Sequence, residues 1–320
     1  ILKRHREELK GNGDQLGLTY LVTDEQSLTT FRKFEALRQS DISAVEAKEQ
    51  AWHEWHDAEE KTLEHRLADV WTAAFFWKHE EGLLLAPTQG VFAHLKEAGE
   101  IDKRIAAQRQ RLAREHHFFH WHLEFPEVFQ EGNGFDCVLG NPPWEQLQAE
   151  TRFVTYSSAA EYQLLRRQTE ATSAFIVVSG RLPLTSSGKT NTYSCFVELS
   201  SQLLAPAARS GLVVQAGVAT DKSNGRLFQQ LLATGALDMF LGFDNSLRTF
   251  FPTIKPSLRF CLITLRNCAF AEESPIDFVF MAKTIEEAHD PARRFALSAA
   301  QAMRFNPATG TAPVFLCPQD

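Results

Sequence analysis

The stretch that most constrains this chain is Phe135-Asp-Cys-Val-Leu-Gly-Asn-Pro-Pro-Trp144. Pro142 and Pro143 remove two backbone donors and fix φ at both positions, so neither a helix nor an interior strand can run through them. The apolar run Phe135–Leu139 therefore reads as a buried strand that enters a stiff loop at Gly140. In an open α/β sheet such a loop lies at the carboxyl end of a strand, where ligands bind. Asn141 offers an amide oxygen as acceptor and an amide NH₂ as donor, and Trp144 offers a broad flat face. A loop of this kind can accept hydrogen bonds from an exocyclic amine and stack the ring that carries it. The competing reading is a rigid turn with a buried Trp and a capping Asn. The apolar strand before the loop and the aromatic after it favour the ligand-binding reading.

The surrounding pattern supports an α/β sheet. Apolar runs at Phe118–Glu124, Phe135–Leu139, Gly211–Gln215, Leu237–Phe243 and Leu258–Leu265 predict strands. Helical spacing falls between them near Glu161–Thr169, Thr192–Leu204 and Gly225–Thr234. The last two strands are joined without a clear helix, which predicts an antiparallel pair at the sheet edge. Ile276–Met281 reads as a further strand, and the Pro-punctuated tail is expected to lie loosely. Cys137, in mid-strand, reads as a small core residue.

The N-terminal third reads differently. Leu63, Leu67, Val70, Trp71 and Ala74 recur at helical spacing, so one long acidic helix is expected over about 43–80, broken once at most and ended by Gly82. A basic helix follows over about 91–117, with a break at Gly99. The expected organisation is a helical segment over 1–117, a catalytic half-domain over 118–270 and a C-terminal extension over 271–320. With 320 residues and 44% hydrophobic content, the chain can build one large core or two smaller ones.

The formal charge of −7 argues against a uniformly basic nucleic-acid coat. It is concentrated, however: residues 41–81 hold eleven acidic and four basic side chains, so the rest of the chain sums to zero. Residues 151–226 carry eight basic and four acidic residues. Arg152, Arg166, Arg167, Arg181 and Lys189 follow the Pro-Pro loop and are candidates for contacts to DNA phosphates, or else a solvated surface. Five cysteines with no Cys-x-x-Cys fit a reducing compartment and no zinc cage. No apolar run approaches the roughly 18–20 residues of a membrane span, and Ile1 runs straight into Leu-Lys-Arg-His-Arg without a signal peptide. The expected localisation is cytoplasmic. A first residue other than Met leads us to expect a piece of a larger protein.

Asn141-Pro142-Pro143-Trp144 resembles the catalytic motif IV of amino-methyltransferases, in the Asn-Pro-Pro-aromatic form of DNA adenine-N6 methyltransferases. Phe119-His-Trp-His-Leu-Glu-Phe-Pro-Glu-Val-Phe129, followed by Phe135 to Glu145, is similar to large bacterial methylases of the fused, type IIG-like restriction–modification kind and to methylases of phage-defence systems. Asn191–Glu198, Gly211–Asp221 and Phe243-Asp-Asn245 fit later blocks of that family, so the resemblance covers about residues 65–266. It implies the second half of a class I, Rossmann-like methyltransferase sheet with a long N-terminal helical insertion. Phe135–Leu139 would be strand four, Gly211–Gln215 strand five, Leu237–Phe243 strand six and Leu258–Leu265 an antiparallel strand seven.

The resemblance also implies S-adenosylmethionine as cofactor and double-stranded DNA as partner, with further domains of the same polypeptide for the cofactor half, target recognition and, in fused enzymes, a nuclease. Asn141, Pro142, Pro143 and Trp144 would be catalytic. Adenine N6 is a poor nucleophile because its lone pair is delocalised. A base flipped out of the stack would rest on Trp144 and give its two N6 hydrogens to the Asn141 side chain and the Pro142 carbonyl.

The family's Gly-rich cofactor loop is not found among these residues and is expected upstream, so the isolated chain is expected to be inactive. Glu124 is the candidate for the acidic residue that contacts the cofactor adenine; the alternative is a strand-end Glu beside a core Phe. Pro183-Leu-Thr-Ser-Ser-Gly-Lys-Thr190 falls one residue short of a phosphate-binding loop, because Pro stands where its first Gly belongs. His116, His117, His120 and His122 crowd together, but with no Cys or Asp beside them in sequence no metal site is expected. No nuclease signature is found. Two alternatives stay open: a non-catalytic methylase-like scaffold that binds DNA or a partner, and an amino-methyltransferase acting on RNA or protein glutamine.

Overall fold

The computed structural model describes residues 25–37, 39–59, 62–78, 86–130, 134–147, 159–186, 190–267 and 275–316. The chain divides into two compact units, residues 1–132 with 170–178 and residues 133–169 with 179–320.

The first unit is helical: α1 Glu25–Glu35, α2 Ile42–Glu59, α3 Leu63–Phe76, α4 Gln89–Ala98, α5 Lys103–His116, α6 Trp121–Glu124 and α7 Pro126–Gln130. The expected acidic helix is two helices, because Thr62 adopts an extended backbone and its hydroxyl accepts from His65 N at 3.2 Å. That is an N-cap, and it starts α3 afresh. Gly82 lies outside the described residues. The basic helix breaks at Gly99, whose φ of 73° closes α4 onto Leu95 O. Asp102 then caps α5 by accepting from Arg104 N at 2.8 Å.

α3 is the hub of this unit. Leu67 and Val70 pack on Leu95, and Ala73 packs with Trp77, Ala86 and Leu112. Arg66 Nη1 donates to Gly99 O at 2.8 Å. Phe175, in the 170–178 stretch, sets its ring edge-on to Trp71 and Phe75. Burial holds the His65 pKa down at about 4, so this imidazole is neutral at pH 7.

The strand expected at Phe118–Glu124 is absent. His120 and Leu123 are the buried positions, a spacing of three that suits a helical turn and not the alternation of a strand. α1 is an element the periodicity did not reveal.

The second unit holds β1 Phe135–Gly140, α8 Ala159–Val178 (which ends in the first unit), α9 Thr192–Gln202, β2 Leu204–Gln215, α10 Gly217–Thr220, α11 Gly225–Ala233, β3 Leu237–Asp244, β4 Arg259–Arg266, β5 Ile276–Ala282, α12 Ile285–His289, β6 Phe295–Leu297 and α13 Ala299–Phe305. The fold is α/β. Six strands form one mixed sheet in the order β1-β2-β4-β3-β5-β6. β1 runs parallel to β2, and β3 parallel to β5. β4 lies antiparallel between β2 and β3. No crossover helix separates β3 from β4, and without one the chain returns antiparallel.

The antiparallel pair is therefore present, but it is interior and not at the edge. β5 adds beyond β3, and β6 pairs antiparallel with β5. The tail is also anchored and not loose: Ala312 N donates to Ala219 O at 2.7 Å. One core cluster joins Tyr193 and Val197 of α9, Leu227, Phe228 and Leu231 of α11, and Leu212, Phe240 and Ile263 of the sheet. The i, i+1, i+4 recurrence on α11 supplies its apolar face.

β1 departs from the expectation of a buried strand. Leu139 is 78% exposed and Cys137 is exposed, so Cys137 is not a core residue. β1 ends the sheet order, and its only strand neighbour among the described residues is β2. Its apolar sequence suits a strand covered on both faces, and here none of its six residues is buried.

Candidate functional site

The Asn141–Trp144 loop leaves β1 at its carboxyl end. Its position starts at Gly134, where φ is +134° and an added Cβ would stand 2.6 Å from Leu203 O and Ala205 N. Only Gly permits that approach, which lets Phe135 N donate to Leu203 O at 2.8 Å and sets the start of β1 against β2.

The loop is tied from two directions. On the sheet side, Trp144 Nε1 donates to Val213 O at 3.2 Å, and Gln215 Nε2 donates to Trp144 O at 3.4 Å. The half-buried indole lies edge-on to Phe251, with ring centres 5.7 Å apart, and near-parallel to Phe260 at 6.5 Å. On the helix side, the N-terminus of α9 grips the chain just past the prolines. Thr192 Oγ1 donates to Pro143 O at 2.6 Å and accepts from Glu145 N at 2.9 Å. Thr192 N donates to Glu145 O at 2.9 Å, Leu147 N donates to Thr190 O at 3.1 Å, and Gln146 bridges Asn191.

α9 is itself immobilised. Asn224 Nδ2 donates to Tyr193 Oη at 3.1 Å and to Gly217 O at 2.8 Å, while Ser194 Oγ and Asn224 Oδ1 stand 2.7 Å apart. Burial pushes the Tyr193 phenol up to about 12, so it stays protonated. Glu198, on the same helix and 1% exposed, accepts from Leu184 N, Thr185 N and Thr185 Oγ1 at 2.9, 2.9 and 2.6 Å. The segment that resembled a phosphate-binding loop is thus held by a carboxylate at its start; residues 187–189, Lys189 among them, lie outside the described residues.

What remains uncommitted is chemically specific. Asn141 is exposed, and neither its amide nor the Pro142 carbonyl has a hydrogen-bond partner among the described residues. Pro143 O, Trp144 O and Trp144 Nε1 are all engaged. The loop therefore presents the Asn141 side-chain amide and the Pro142 carbonyl next to a half-buried indole, with no ionisable group among them.

The other candidates scatter. Glu124 ends the single turn α6, so it is not a strand-end residue. Arg166 and Arg167 are exposed on α8. Arg181 is half-buried, and desolvation lowers its guanidinium pKa to about 10. Arg152 lies outside the described residues. His120 does meet a carboxylate, but a distant one, Asp69, together with His65. The missed signal is the His65-x-x-x-Asp69 spacing on α3, which puts both on one helix face.

A family model described as Eco57I restriction-modification methylase matches residues 21–250. No curated protein matches the chain. Among solved structures, the chain is similar to the methyltransferase subunit of a type I restriction-modification system from Streptococcus thermophilus, at 15% identity and a TM-score of 0.38 over 68% of this chain and 48% of that one. It is also similar to a class I S-adenosylmethionine-dependent methyltransferase assigned by resemblance in Listeria monocytogenes, at 12% identity and a TM-score of 0.30 over 50% of this chain and 39% of that one. The type IIG restriction endonuclease BpuSI is similar at 12% identity and a TM-score of 0.34, over 55% of this chain and 20% of the other. The chain spans about half the length, or less, of these structures.

Proposed function

The chain belongs to the Eco57I restriction-modification methylase family, and on that premise we propose that its Asn141–Trp144 loop holds the N6 amine of a flipped adenine in DNA for methylation. The observation that carries this reading is the pattern of commitment in the loop. The Pro143 and Trp144 carbonyls and the Trp144 indole N–H are tied to α9 and β2, while the Asn141 side chain and the Pro142 carbonyl are placed as a pair of acceptors for a two-hydrogen amine.

The chain's own groups would act as follows. Trp144 receives the extruded ring and recovers part of the few kcal/mol that unstacking costs. The Asn141 amide oxygen and the Pro142 carbonyl accept the two N6 hydrogens, which draws the nitrogen toward sp³ and frees its lone pair. These bonds strengthen as N6 becomes positive, so they stabilise the transition state more than the ground state. A neutral amide suits that task, because no proton need be removed before the nitrogen attacks.

S-adenosylmethionine is the proposed cofactor and would supply the methyl group. The residues described fit the amine side of such a reaction and not the cofactor side. No Gly-rich turn after a strand occurs among them, and Glu124, the one acidic residue considered for the cofactor, ends a helical turn. The exposed outer side of β1, with Leu139 uncovered, supports a methylase whose remaining parts dock there: the cofactor half, a target-recognition domain and, in fused enzymes, a nuclease. Arg166 and Arg167 are proposed phosphate contacts, together with Arg152, Arg181 and Lys189. No helix among the described residues is long and apolar enough to cross a membrane; a cytoplasmic location is part of the proposal.

The test uses the full-length gene product and tritiated cofactor with DNA, RNA and protein as substrates. Label is expected on DNA adenine, and Asn141→Ala is expected to lower turnover by at least about 10²–10³-fold while leaving cofactor binding intact. Label on RNA or protein alone would replace the substrate. Absence of label from all three would favour the non-catalytic scaffold.

A further inference from the structure

Four polar side chains meet in the interior of the helical unit. His65 and Asp69 lie one turn apart on the same face of α3. Arg109 comes from α5, and His120 from the residues just before α6. They are 7, 6, 4 and 2% exposed, respectively. One ligand atom each from His65, Asp69 and His120 lies within 4.8 Å of the others. The two imidazoles stand edge-on, with ring centres 5.4 Å apart.

The distances suit a shared cation. His120 Nε2 and Asp69 Oδ1 are 3.1 Å apart. Two ligands each about 2.0–2.1 Å from one zinc ion are separated by about that much at a near-tetrahedral angle. The second carboxylate oxygen of Asp69 faces Arg109 Nη1 at 3.8 Å, so Oδ1 is left to the histidines. The Nδ1 atom of His65 is buried with no hydrogen-bond partner, which is unusual for a purely hydrogen-bonded cluster.

We propose that His65, Asp69 and His120 bind one Zn²⁺ ion, which fastens α3 to the segment leading into α6. Two imidazoles and one carboxylate favour zinc over magnesium or calcium, which take oxygen ligands. Three protein ligands leave a fourth position for water. Asp69 and His120 are 51 residues apart in sequence, so the ion would close a long loop that the hydrophobic contacts of α3 close only in part.

The experiment takes the full chain, strips it with a chelator, dialyses it, and titrates it with Zn²⁺ against a chromophoric competitor. One equivalent is expected to bind with micromolar or tighter affinity. His65→Gln, Asp69→Asn and His120→Gln should each weaken binding by at least about 100-fold, while His53→Gln, at an exposed position on α2, should not change it. If the variants fail to fold, Co²⁺ substitution in the unaltered chain decides instead: visible ligand-field bands without a thiolate charge-transfer band support the site. Failure to bind one equivalent, unchanged affinity in all three folded variants, or a thiolate band that assigns the ion to cysteines would each overturn it.

Discussion

Replacing Thr192 by Val tests whether the N-terminus of α9 sets the geometry of the proposed amine-binding loop. Valine keeps the shape of threonine and deletes only the hydroxyl. The hydroxyl's contacts disappear: the acceptance from Glu145 N at 2.9 Å and the donation of its one proton, to Pro143 O at 2.6 Å with Glu145 O as a second acceptor at 3.1 Å. The backbone bond from Thr192 N to Glu145 O stays. Each lost bond is worth about 0.5–1.5 kcal/mol net. Glu145 is exposed, so water replaces part of the loss there, and the total comes to about 1–2 kcal/mol. The released group is the carbonyl next to Pro142, so the Pro142 carbonyl and Asn141 become free to drift relative to each other. If that geometry matters mainly in the transition state, the whole loss falls on kcat, as a decrease of about 5–30-fold. The KM for DNA, set by distant phosphate contacts, should change less than about twofold. Thr192→Ser keeps the hydroxyl and should restore most of the rate. Steady-state methylation by the full-length protein gives both parameters. A Val variant with unchanged kcat would refute the positioning role. A Ser variant as slow as Val would show that the methyl group matters and the hydroxyl does not.

Other perturbations follow from the same geometry. Glu198→Ala leaves one buried amide, one part-buried amide and one buried hydroxyl without their acceptor and should destabilise the second unit by about 2–4 kcal/mol; a denaturant-midpoint shift worth under about 1 kcal/mol would contradict that. Gly134→Ala puts a Cβ against the backbone of Leu203 and Ala205 at a φ of +134° and should cost about 2 kcal/mol or more, read as a lower Tm. Among the described cysteines, Cys137 should be alkylated first in native protein. Cys195 and Cys261 are buried, with thiol pKa values raised by that burial, and should react only on unfolding; peptide mapping after alkylation distinguishes the three.

The elements legible in the sequence are those whose signal is local. The strands β2, β3 and β4 and the helices α9 and α11 were readable because each buries its own apolar face at its own period, and β1 because its run of apolar residues ends at two prolines. The catalytic candidates Asn141–Trp144 were readable because two adjacent prolines and an aromatic make one contiguous word. What failed was non-local. His120 looked like part of a histidine run, yet its partner Asp69 lies fifty-one residues away on another helix. Leu139 and Cys137 looked like core residues because their strand is apolar, and exposure depends on what covers the strand, which its own sequence does not state. The edge position of the β3–β4 pair failed for the same reason: Ile276–Ala282 carried its strand signal, but not the fact that it docks parallel to β3.

The restraints on the loop bear on why the sequence places a Thr-initiated helix near it. Two prolines stiffen the loop by fixing φ, but they leave ψ of Pro143 free, and it is ψ that turns its carbonyl. Trp144 and its bond to Val213 O anchor the far end of the loop without reaching the proline carbonyls. Thr192 removes that freedom at Pro143 by holding its oxygen. Since the Pro143 ring constrains the residue before it to extended conformations, fixing Pro143 also narrows the direction of the Pro142 carbonyl. The Pro142 acceptor is thus oriented from its C-terminal side by α9 and from its N-terminal side by β1, and β1 is set by the close approach at Gly134. Two independent anchors on a segment this short leave Asn141 as the one polar side chain still able to adjust to a ligand.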